Sequence, residues 1–316
     1  MQPDYEYILK IFEEGSFSKA ADSLYLTQPA LSIAIRRIES AIGMPLFDRT
    51  HRPLTLTPAG QIYIEMIKNM QFLEDDLERQ LQDIRSLNSG NIKIGGSHYI
   101  NSYILPKILS GFNRKYPHVH IDLIEDSSAI LSKKLTEREI DLTFSCNSSF
   151  IAQFEKYPAF YDHILLAVPS SHPINKENAP YALTGCDVQN KKHLLDSCPS
   201  IPLSAFRDLD YILLEPGNNL YDRSIQMFSE AGFTPNIKLS LSQLVTAYHL
   251  AESSFGATFV SDHMIHASTD QLYFYKLQSE QTSRLFYILL PNRYYTTHSV
   301  KMFIQYFLVN WSGGTV

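Results

Sequence analysis

The feature that most constrains the fold is a pair of short helical runs in residues 16–39, which read SFSKAADSLYLTQPALSIAIRRIE. In the second run, apolar residues at i, i+4, i+7 and i+11 predict one buried stripe, formed by Leu31, Ile35, Ile38 and Ile42. Thr27 is a good N-cap for this helix, Pro29 fits its first turn and Gly43 can end it. The pattern predicts two small helices around a tight turn.

The opposite face of the second run is polar. At ~100° per residue, Ser32, Ile33 and Arg36 point away from the apolar stripe, while Gln28 lies in the first turn and Arg37 flanks the exposed face. A helix with an apolar back and a Gln, Ser and Arg front suits the DNA major groove. An ordinary three-helix cluster with a solvated polar face explains the same spacing, so spacing alone leaves both interpretations open.

A short basic hairpin follows these helices. Residues 45–60, PLFDRTHRPLTLTPAG, contain a turn-rich tip with Arg49 and Arg52 and then an alternation of leucine and threonine. The whole chain has a formal net charge of −6, but residues 27–57 hold four arginines against two acidic residues. The hairpin is therefore predicted to be a wing whose basic tip contacts phosphates or enters the minor groove.

These residues resemble the N-terminal signature of the LysR-type transcriptional regulators. The matching elements are Ala20-Ala21, Leu24, Thr27-Gln28-Pro29-Ala30-Leu31-Ser32, Ile35, Ile38-Glu39, Gly43, Leu46-Phe47-Asp48-Arg49 and Leu56-Thr57-Pro58-Ala59-Gly60. The resemblance implies a winged helix-turn-helix in residues 1–58 that binds double-stranded DNA. The predicted DNA contacts are Thr27, Gln28, Pro29, Ser32, Ile33, Arg36, Arg37, Arg49 and Arg52.

A long helix is predicted next, with Thr57 as its N-cap and Pro58 in its first turn. Apolar residues recur along it at an average of about 3.5 residues, the spacing of a coiled-coil seam: Met66, Met70, Leu73, Leu77, Leu81, Ile84 and Leu87. Packing on its own domain is the alternative, but the acidic run in residues 74–78 favours solvent on the far side. Residues 59–89 are therefore assigned to a linker and dimerisation helix. A homodimer or homotetramer would bind an interrupted palindrome, with one winged helix-turn-helix domain on each half-site.

Strand-like and helix-like segments alternate from residue 90 onward, which predicts an α/β architecture with parallel sheets and crossover helices. This region also resembles the family's effector domain through NIKIGGSHYINSYILPKILSGFNRKYPHVHIDLIE, REIDLTF and LLAVPSSHPI. The resemblance implies a periplasmic-binding-protein-like domain in residues 90–316. Its first α/β subdomain would cover about residues 90–165 and 265–316, and its second about 166–264. Arg138 stands where the family usually has glycine.

Polar residues at the predicted strand ends form a candidate site for a small-molecule effector. Ligands of parallel sheets bind beyond the carboxyl ends of strands, near helix N-termini. Hydroxyl and free N–H groups there suit a carboxylate or a similar anion, although the same residues are also explained as helix caps and turn residues. The candidates are Ser97, His98, Tyr99, Ser127, Ser128, Ser145, Asn147, Gly217 and Asn218.

A redox-responsive regulator is an alternative, because Cys186 and Cys198 share one long loop. Lys191, Lys192 and His193 lie between them and could lower a thiol pKa. Two thiols without a redox role explain the same sequence, and we favour this interpretation.

An enzyme is a second alternative, suggested by two histidine pairs. His118 and His120 would share one strand face, and His263 and His266 are spaced i, i+3 on a possible helix. Neither pair comes with a third ligand at a recognisable spacing, and no phosphate-binding loop or nucleophile motif occurs. We therefore predict no catalytic residue, no metal site and no cofactor.

A transport binding protein would share the C-terminal fold, but its function would not require a DNA-binding domain. The N-terminus also lacks the basic-then-apolar order of a secretory signal. No apolar run approaches the ~18 residues of a membrane span, and three cysteines are too few for a disulfide scaffold. These features predict a soluble cytoplasmic protein.

Overall fold

The computed structural model describes residues 3–50, 53–85, 90–292 and 295–311. The chain divides into two compact units, Met1–Arg85 and Ser86–Val316. Each unit has its own hydrophobic core, and each is described separately below.

The N-terminal unit is a helix cluster with a short hairpin. Its elements are α1 (Pro3–Glu14), α2 (Phe17–Ser23), α3 (Gln28–Ile42), β1 (Phe47–Asp48), β2 (Thr55–Leu56) and α4 (Pro58–Arg85). The side chains of Ser16 and Thr27 cap α2 and α3, and Gly43 ends α3 in the left-handed region at φ 80°. The antiparallel β1–β2 pair is the predicted wing, so residues 3–56 have the winged helix-turn-helix arrangement.

The core of this unit follows the predicted stripe with two differences. Leu31, Ile35 and Ile38 are buried, but Ile42 at the end of α3 is 36% exposed. Ser32, which we predicted to point outward, is only 9% exposed. It lies three residues before Ile35, so the packed side of α3 is wider than a single stripe.

The long helix α4 is buried only at its start. Ile64 and Ile67 belong to the core of the N-terminal unit. Beyond them, six of the seven predicted seam residues lie on exposed positions of α4: Met66, Met70, Leu73, Leu77, Leu81 and Ile84. The seventh, Leu87, lies outside the described residues. An apolar stripe of this length therefore has no cover within its own unit.

The C-terminal unit is built on ten strands and eight α-helices among its described residues. The strands are β3 (Gly90–Gly96), β4 (Val119–Glu125), β5 (Leu142–Ser145), β6 (Glu155–Pro169), β7 (Ala182–Leu183), β8 (Asp210–Leu214), β9 (Asn236–Leu241), β10 (Thr258–Ser261), β11 (Leu272–Tyr275) and β12 (Ser283–Leu290). The helices are α5 (Leu105–Lys115), α6 (Ser128–Thr136), α7 (Ser148–Ile151), α8 (Ile174–Glu177), α9 (Gly185–Gln189), α10 (Asn219–Glu230), α11 (Leu244–Glu252) and α12 (His298–Asn310).

The long strand β6 organises this unit. Along residues 155–163 it pairs with β12, and along residues 164–169 it pairs with β10 and β11. The connected order is β4-β3-β5-β12-β6-β11-β7, with β10 also on β6, while β8 and β9 form a separate parallel pair. One strand therefore joins the two parts of this sheet.

The sheet is mixed rather than parallel throughout. The pairs β3–β4, β3–β5 and β8–β9 are parallel, as the alternation of strands and helices predicts. All pairings of β6 and β12 with their neighbours are antiparallel. The prediction of parallel sheets is wrong for these strands, because their pairs join segments far apart in the sequence rather than strands linked by a single crossover helix.

None of the helices in the described part of the chain combines the length and the apolar character that spanning a bilayer requires.

Candidate nucleic-acid interface and ligand cavity

The exposed face of α3 presents a compact set of side chains. Gln28, Ile33 and Arg36 are exposed, and Ile33 has 66% of its surface accessible. Thr27 and Pro29 are exposed at the start of the same helix. Within the described ranges, Arg36 forms no hydrogen bond or ion pair, so its guanidinium is available to a partner.

Two other predicted DNA contacts are held by intramolecular partners. The Arg37 Nη2 donates to both carboxylate oxygens of Asp4, at 2.9 and 3.2 Å. Arg49 Nη2 donates to Glu39 Oε2 at 3.1 Å, and its guanidinium carbon lies 4.9 Å from the centre of the Phe17 ring. These contacts fix Arg49 at the base of the wing. Arg49 therefore has a structural role that the sequence did not reveal.

Two further predicted contacts stand apart. Ser32 is buried and does not share the exposed face with Arg36, which corrects the orientation that we predicted for it. Arg52 lies outside the described residues.

A cavity of about 580 Å³ opens in the C-terminal unit, where strand ends and helix starts meet. The ends of β3 and β5 and the first turns of α6, α10 and α11 contribute to its wall. This is the position at which parallel strands favour ligand binding. All nine predicted effector residues line it: Ser97, His98, Tyr99, Ser127, Ser128, Ser145, Asn147, Gly217 and Asn218.

Three of these side chains also cap helices. Ser127, Asn147 and Asn218 cap α6, α7 and α10, each accepting from a backbone N–H, at 3.4, 3.0 and 2.9 Å respectively. The two interpretations of these residues, cap and cavity wall, are therefore compatible. The helix α11 differs, because its N-cap Gln243 makes no side-chain capping bond. Gln243 and Leu244, at the start of this helix, line the cavity.

A buried ionic network lies beside the cavity. The Arg284 Nε donates to Asp162 Oδ2 at 2.6 Å, and the Tyr99 hydroxyl donates to Asp162 Oδ1 at 2.5 Å. The Ser261 hydroxyl donates to the same Oδ1. Burial lowers the pKa of Arg284, but the neighbouring Asp162 raises it above its ordinary value. Arg284 therefore contributes a fixed positive charge to the cavity wall.

Burial raises the pKa of the Tyr99 hydroxyl well above its usual value, and the charge of Asp162 raises it further. Tyr99 is thus a neutral donor whose hydroxyl is already used by Asp162. Its contribution to the cavity wall is its ring rather than a free hydroxyl.

The sequence prediction missed the charged residues of the cavity. Arg284, Glu125, Asp126 and Glu215 all line it, and Glu125 Oε1 lies 3.1 Å from His98 Nδ1. One signal could have revealed Arg284. It is a single charge at the start of the apolar strand SRLFYILL, and Asp162 interrupts another apolar strand in the same way. Unpaired charges in buried strands require a partner.

The cysteine loop gives little support to a redox switch. Cys186 is exposed and Cys198 is buried, and both are free thiols. The groups that we expected to lower a thiol pKa have other partners. Lys192 Nζ lies 3.1 Å from Asp187 Oδ1, and His193 Nε2 lies 3.0 Å from Asp262 Oδ2.

The histidine pairs of the enzyme alternative do not form a common site. His120 Nε2 lies 3.1 Å from Asp122 Oδ1 on an exposed strand edge. His263 lies in a single 3₁₀ turn, Asp262–Met264, which does not extend to His266. The predicted i, i+3 helical face is therefore absent at that position.

A winged helix-turn-helix joined to an α/β domain with a cavity at its strand ends defines a DNA-binding transcriptional regulator with an effector-binding domain. The chain belongs to the LysR family of such regulators. The family model described as "LysR substrate binding domain" matches residues 85–311. A second model, "Bacterial regulatory helix-turn-helix protein, lysR family", matches residues 3–61.

Individual relatives agree with this family. The chain is 29% identical over 290 residues to the uncharacterized HTH-type transcriptional regulator YcgK of Bacillus subtilis (strain 168), covering 92% of this chain and 88% of YcgK. A solved structure of full-length CbnR complexed with its target DNA is 17% identical, with a TM-score of 0.59 over 96% of this chain and 97% of CbnR. The effector-binding domain of QuiR, solved in complex with shikimate, is 15% identical, with a TM-score of 0.57 over 72% of this chain and all of that domain (100%).

Proposed function

We propose that this regulator acts in the cytoplasm as a homodimer or homotetramer that reads an interrupted palindrome in double-stranded DNA. A small anionic effector bound in the 580 Å³ cavity would modulate its activity. The observation that carries the DNA-binding part is the exposed face of α3, on which Gln28, Ile33 and Arg36 stand together.

The chemistry of this face suits the major groove. An arginine can donate two hydrogen bonds to guanine, a glutamine can pair with adenine, and an apolar side chain can contact the thymine methyl. Arg36, Gln28 and Ile33 supply these three groups on one helix. Arg37 and Arg49 have carboxylate partners at 2.9 and 3.1 Å, so they would contribute to phosphate contacts rather than to base reading.

Replacing Arg36 tests the reading role. Arg36→Ala should weaken binding to the cognate site by about 1–3 kcal/mol while leaving binding to a scrambled site much less affected. Gel-shift titrations on both sites at one salt concentration measure the difference. Arg114→Ala removes an equally exposed charge outside the winged domain and should leave both affinities unchanged. Equal losses on the two sites for Arg36→Ala would refute base reading.

The exposed stripe of α4 supports self-association. Its apolar residues occupy the coiled-coil spacing and have no cover within the N-terminal unit. The simplest packing partner for this stripe is α4 of a second copy of the chain, because two identical apolar stripes are self-complementary. Two winged domains joined in this way would contact two half-sites, which is why the proposed site is an interrupted palindrome.

Two features of the cavity support an anionic effector. The N-terminal turns of α6, α10 and α11 face it, and each helix start carries partial positive charge. Arg284 adds a guanidinium at the wall, and Asp162 balances part of its charge. The carboxylates of Glu125, Asp126 and Glu215 also line the cavity, so the effector would carry hydroxyl or amine donors as well as its anionic group. Shikimate, the ligand in the QuiR structure, is a carboxylate with hydroxyl groups.

The placement of the effector is tested with a panel of small carboxylates scored by thermal shift on the full-length protein. Ser97→Ala and Ser128→Ala should each reduce the shift caused by a hit, because both hydroxyls line the cavity. Ser229→Ala, an exposed position near the end of α10, is the control and should respond like the unmodified protein. If both cavity variants keep the full ligand response in thermal shift and in DNA binding, the effector binds elsewhere.

A further inference from the structure

Two histidines and an aspartate from distant parts of the sequence converge in the C-terminal unit. His193 Nε2 lies 3.0 Å from Asp262 Oδ2, and His163 Nδ1 lies 3.5 Å from the same oxygen. Candidate ligand atoms of the three residues all lie within 4.8 Å of one another. The side chains of His193 and Asp262 are 1% and 2% exposed, whereas that of His163 is 29% exposed.

The contacts within this group leave ligand positions unused. His163 Nδ1 is shielded from solvent and faces the Asp262 carboxylate, yet it has no hydrogen-bond partner among the described residues. The other carboxylate oxygen, Oδ1, accepts the backbone N–H of His163 at 3.1 Å. This bond orients the carboxylate so that Oδ2 points at both imidazoles. A cation among the three groups would satisfy the unbonded nitrogen.

The three side chains are of the types that bind transition metals. Imidazole and ionised carboxylate are ligands that Zn²⁺ prefers, and three protein ligands leave a fourth position for water. Asp262 also lines a second cavity, of about 280 Å³.

Another group in the same region is less suited to a metal. Asp162, Asp262 and His263 also lie close together. However, Asp162 is already bound by Arg284 and Tyr99, at 2.6 and 2.5 Å. A metal there would have to displace a buried ion pair. In the group of His163, His193 and Asp262, the contacts that a metal would replace are those among the three ligands themselves.

We propose that His163, His193 and Asp262 form a binding site for a divalent transition metal, with Zn²⁺ as the preferred ion. The three ligands come from the middle of β6, from the 3₁₀ turn Lys192–Leu194 and from the turn that follows β10. His163 pairs with Ser283 at one end of the β12 ladder, and the next residue, Ile164, pairs with Ser261 of β10. The metal therefore fixes β6 at the point where its pairing changes from one half of the domain to the other.

The experiment is a zinc titration of the full-length protein after removal of metal with a chelator. A competing chromogenic chelator reports affinity, and elemental analysis after gel filtration reports stoichiometry. We expect about one tightly bound ion per chain and a rise in melting temperature with zinc. His163→Gln should weaken binding at least about a hundredfold, because it removes a direct ligand and even indirect partners are worth 10–100-fold. His163 is the chosen ligand because its partial exposure makes the variant the least disruptive.

His120→Gln is the matched control, since His120 is an exposed histidine beside a carboxylate, with 75% of its side chain accessible. It should bind zinc like the unmodified protein. Cobalt provides a second readout, because a tetrahedral site with histidine ligands gives visible absorption bands that His163→Gln should abolish. The proposal is overturned if the unmodified protein retains no zinc after gel filtration. It is equally overturned if His163→Gln retains the affinity and the cobalt spectrum.

Discussion

A Cβ atom built on Gly60 would lie 2.0 Å from the carbonyl oxygen of Leu46 and 3.1 Å from the side chain of Leu56. The helix α4 therefore passes so close to the wing that only glycine fits at this position. The resemblance to the family includes this glycine, and the structure supplies the physical reason for it.

Gly60→Ala tests this packing. In an open helix the change would stabilise the protein by about 1 kcal/mol. Here the obstacle is a backbone oxygen, so we expect a loss of about 1–3 kcal/mol, as for other overpacked sites. Chemical denaturation followed by circular dichroism measures it. A stabilised variant would show that the wing moves away at little cost.

At the residue scale, the sequence predicted which residues cap helices better than it predicted which side chains bind one another. The caps Thr27 and Ser127 were identified because capping depends on local spacing. The Arg49–Glu39 pair was not, because nothing in the local pattern says that a wing residue folds back onto α3. Arg138, where the family usually has glycine, has φ 60°. The backbone thus keeps a glycine-like conformation although the side chain differs.

At the element scale, the exposed stripe of α4 leads to a prediction about self-association. Leu77 is 57% exposed and lies beyond the part of α4 that packs on the core. Leu77→Glu should raise the dissociation constant of the dimer at least about a hundredfold, because it removes apolar burial from both copies and brings two like charges together. Analytical ultracentrifugation across a concentration series measures the change.

Glu78→Gln, at the next position and exposed, is the control and should leave association unaltered. Circular dichroism should show that both variants keep their helical content. A Leu77→Glu protein that stays fully associated at low concentration would place the interface elsewhere.

Element existence was largely predictable, but strand pairing was not. Periodicity locates most of the strands in residues 90–290, yet pairing direction depends on contacts far apart in sequence. The predicted division at residue 265 remains a prediction. Because β11 pairs with residues 166–169 of β6, we propose that the chain returns to the first subdomain only after Tyr275.

At the scale of the whole molecule, the network around Asp162 leads to a stability prediction. It joins β6, β12 and β10 with Tyr99, and the side chains of Asp162 and Arg284 are 0% and 5% exposed. Arg284→Met should destabilise the C-terminal unit by about 3–5 kcal/mol, because it leaves a buried carboxylate without its cation. The double variant with Asp162→Asn should recover part of that loss.

The single tryptophan, Trp311, lies in the C-terminal unit, so its fluorescence during unfolding isolates the effect on that unit. Residues 1–85 form a separate compact unit, and their unfolding should be unchanged. A normal fluorescence midpoint for Arg284→Met would mean that the ion pair adds nothing to stability.

The cavity shows why the candidate site was only partly predictable. The nine predicted residues lie at or after strand ends, and hydrophobic periodicity reveals where strands end. The prediction therefore assigned all nine to the same cavity. Arg284 lies within β12, so its place at the cavity depends on which strands are neighbours. Glu125, Asp126 and Glu215 lie at the ends of β4 and β8, so the rule that located the neutral residues applies to them as well. The group of His163, His193 and Asp262 was not predicted either, because its members come from distant parts of the sequence.

The shared strand β6 has a consequence for dissecting the protein. Its residues 155–163 pair with β12, and its residues 164–169 pair with β10 and β11. Cutting the chain between these two stretches would leave each fragment with an unpaired sheet edge, so neither fragment should be recoverable as a separate, well-behaved protein.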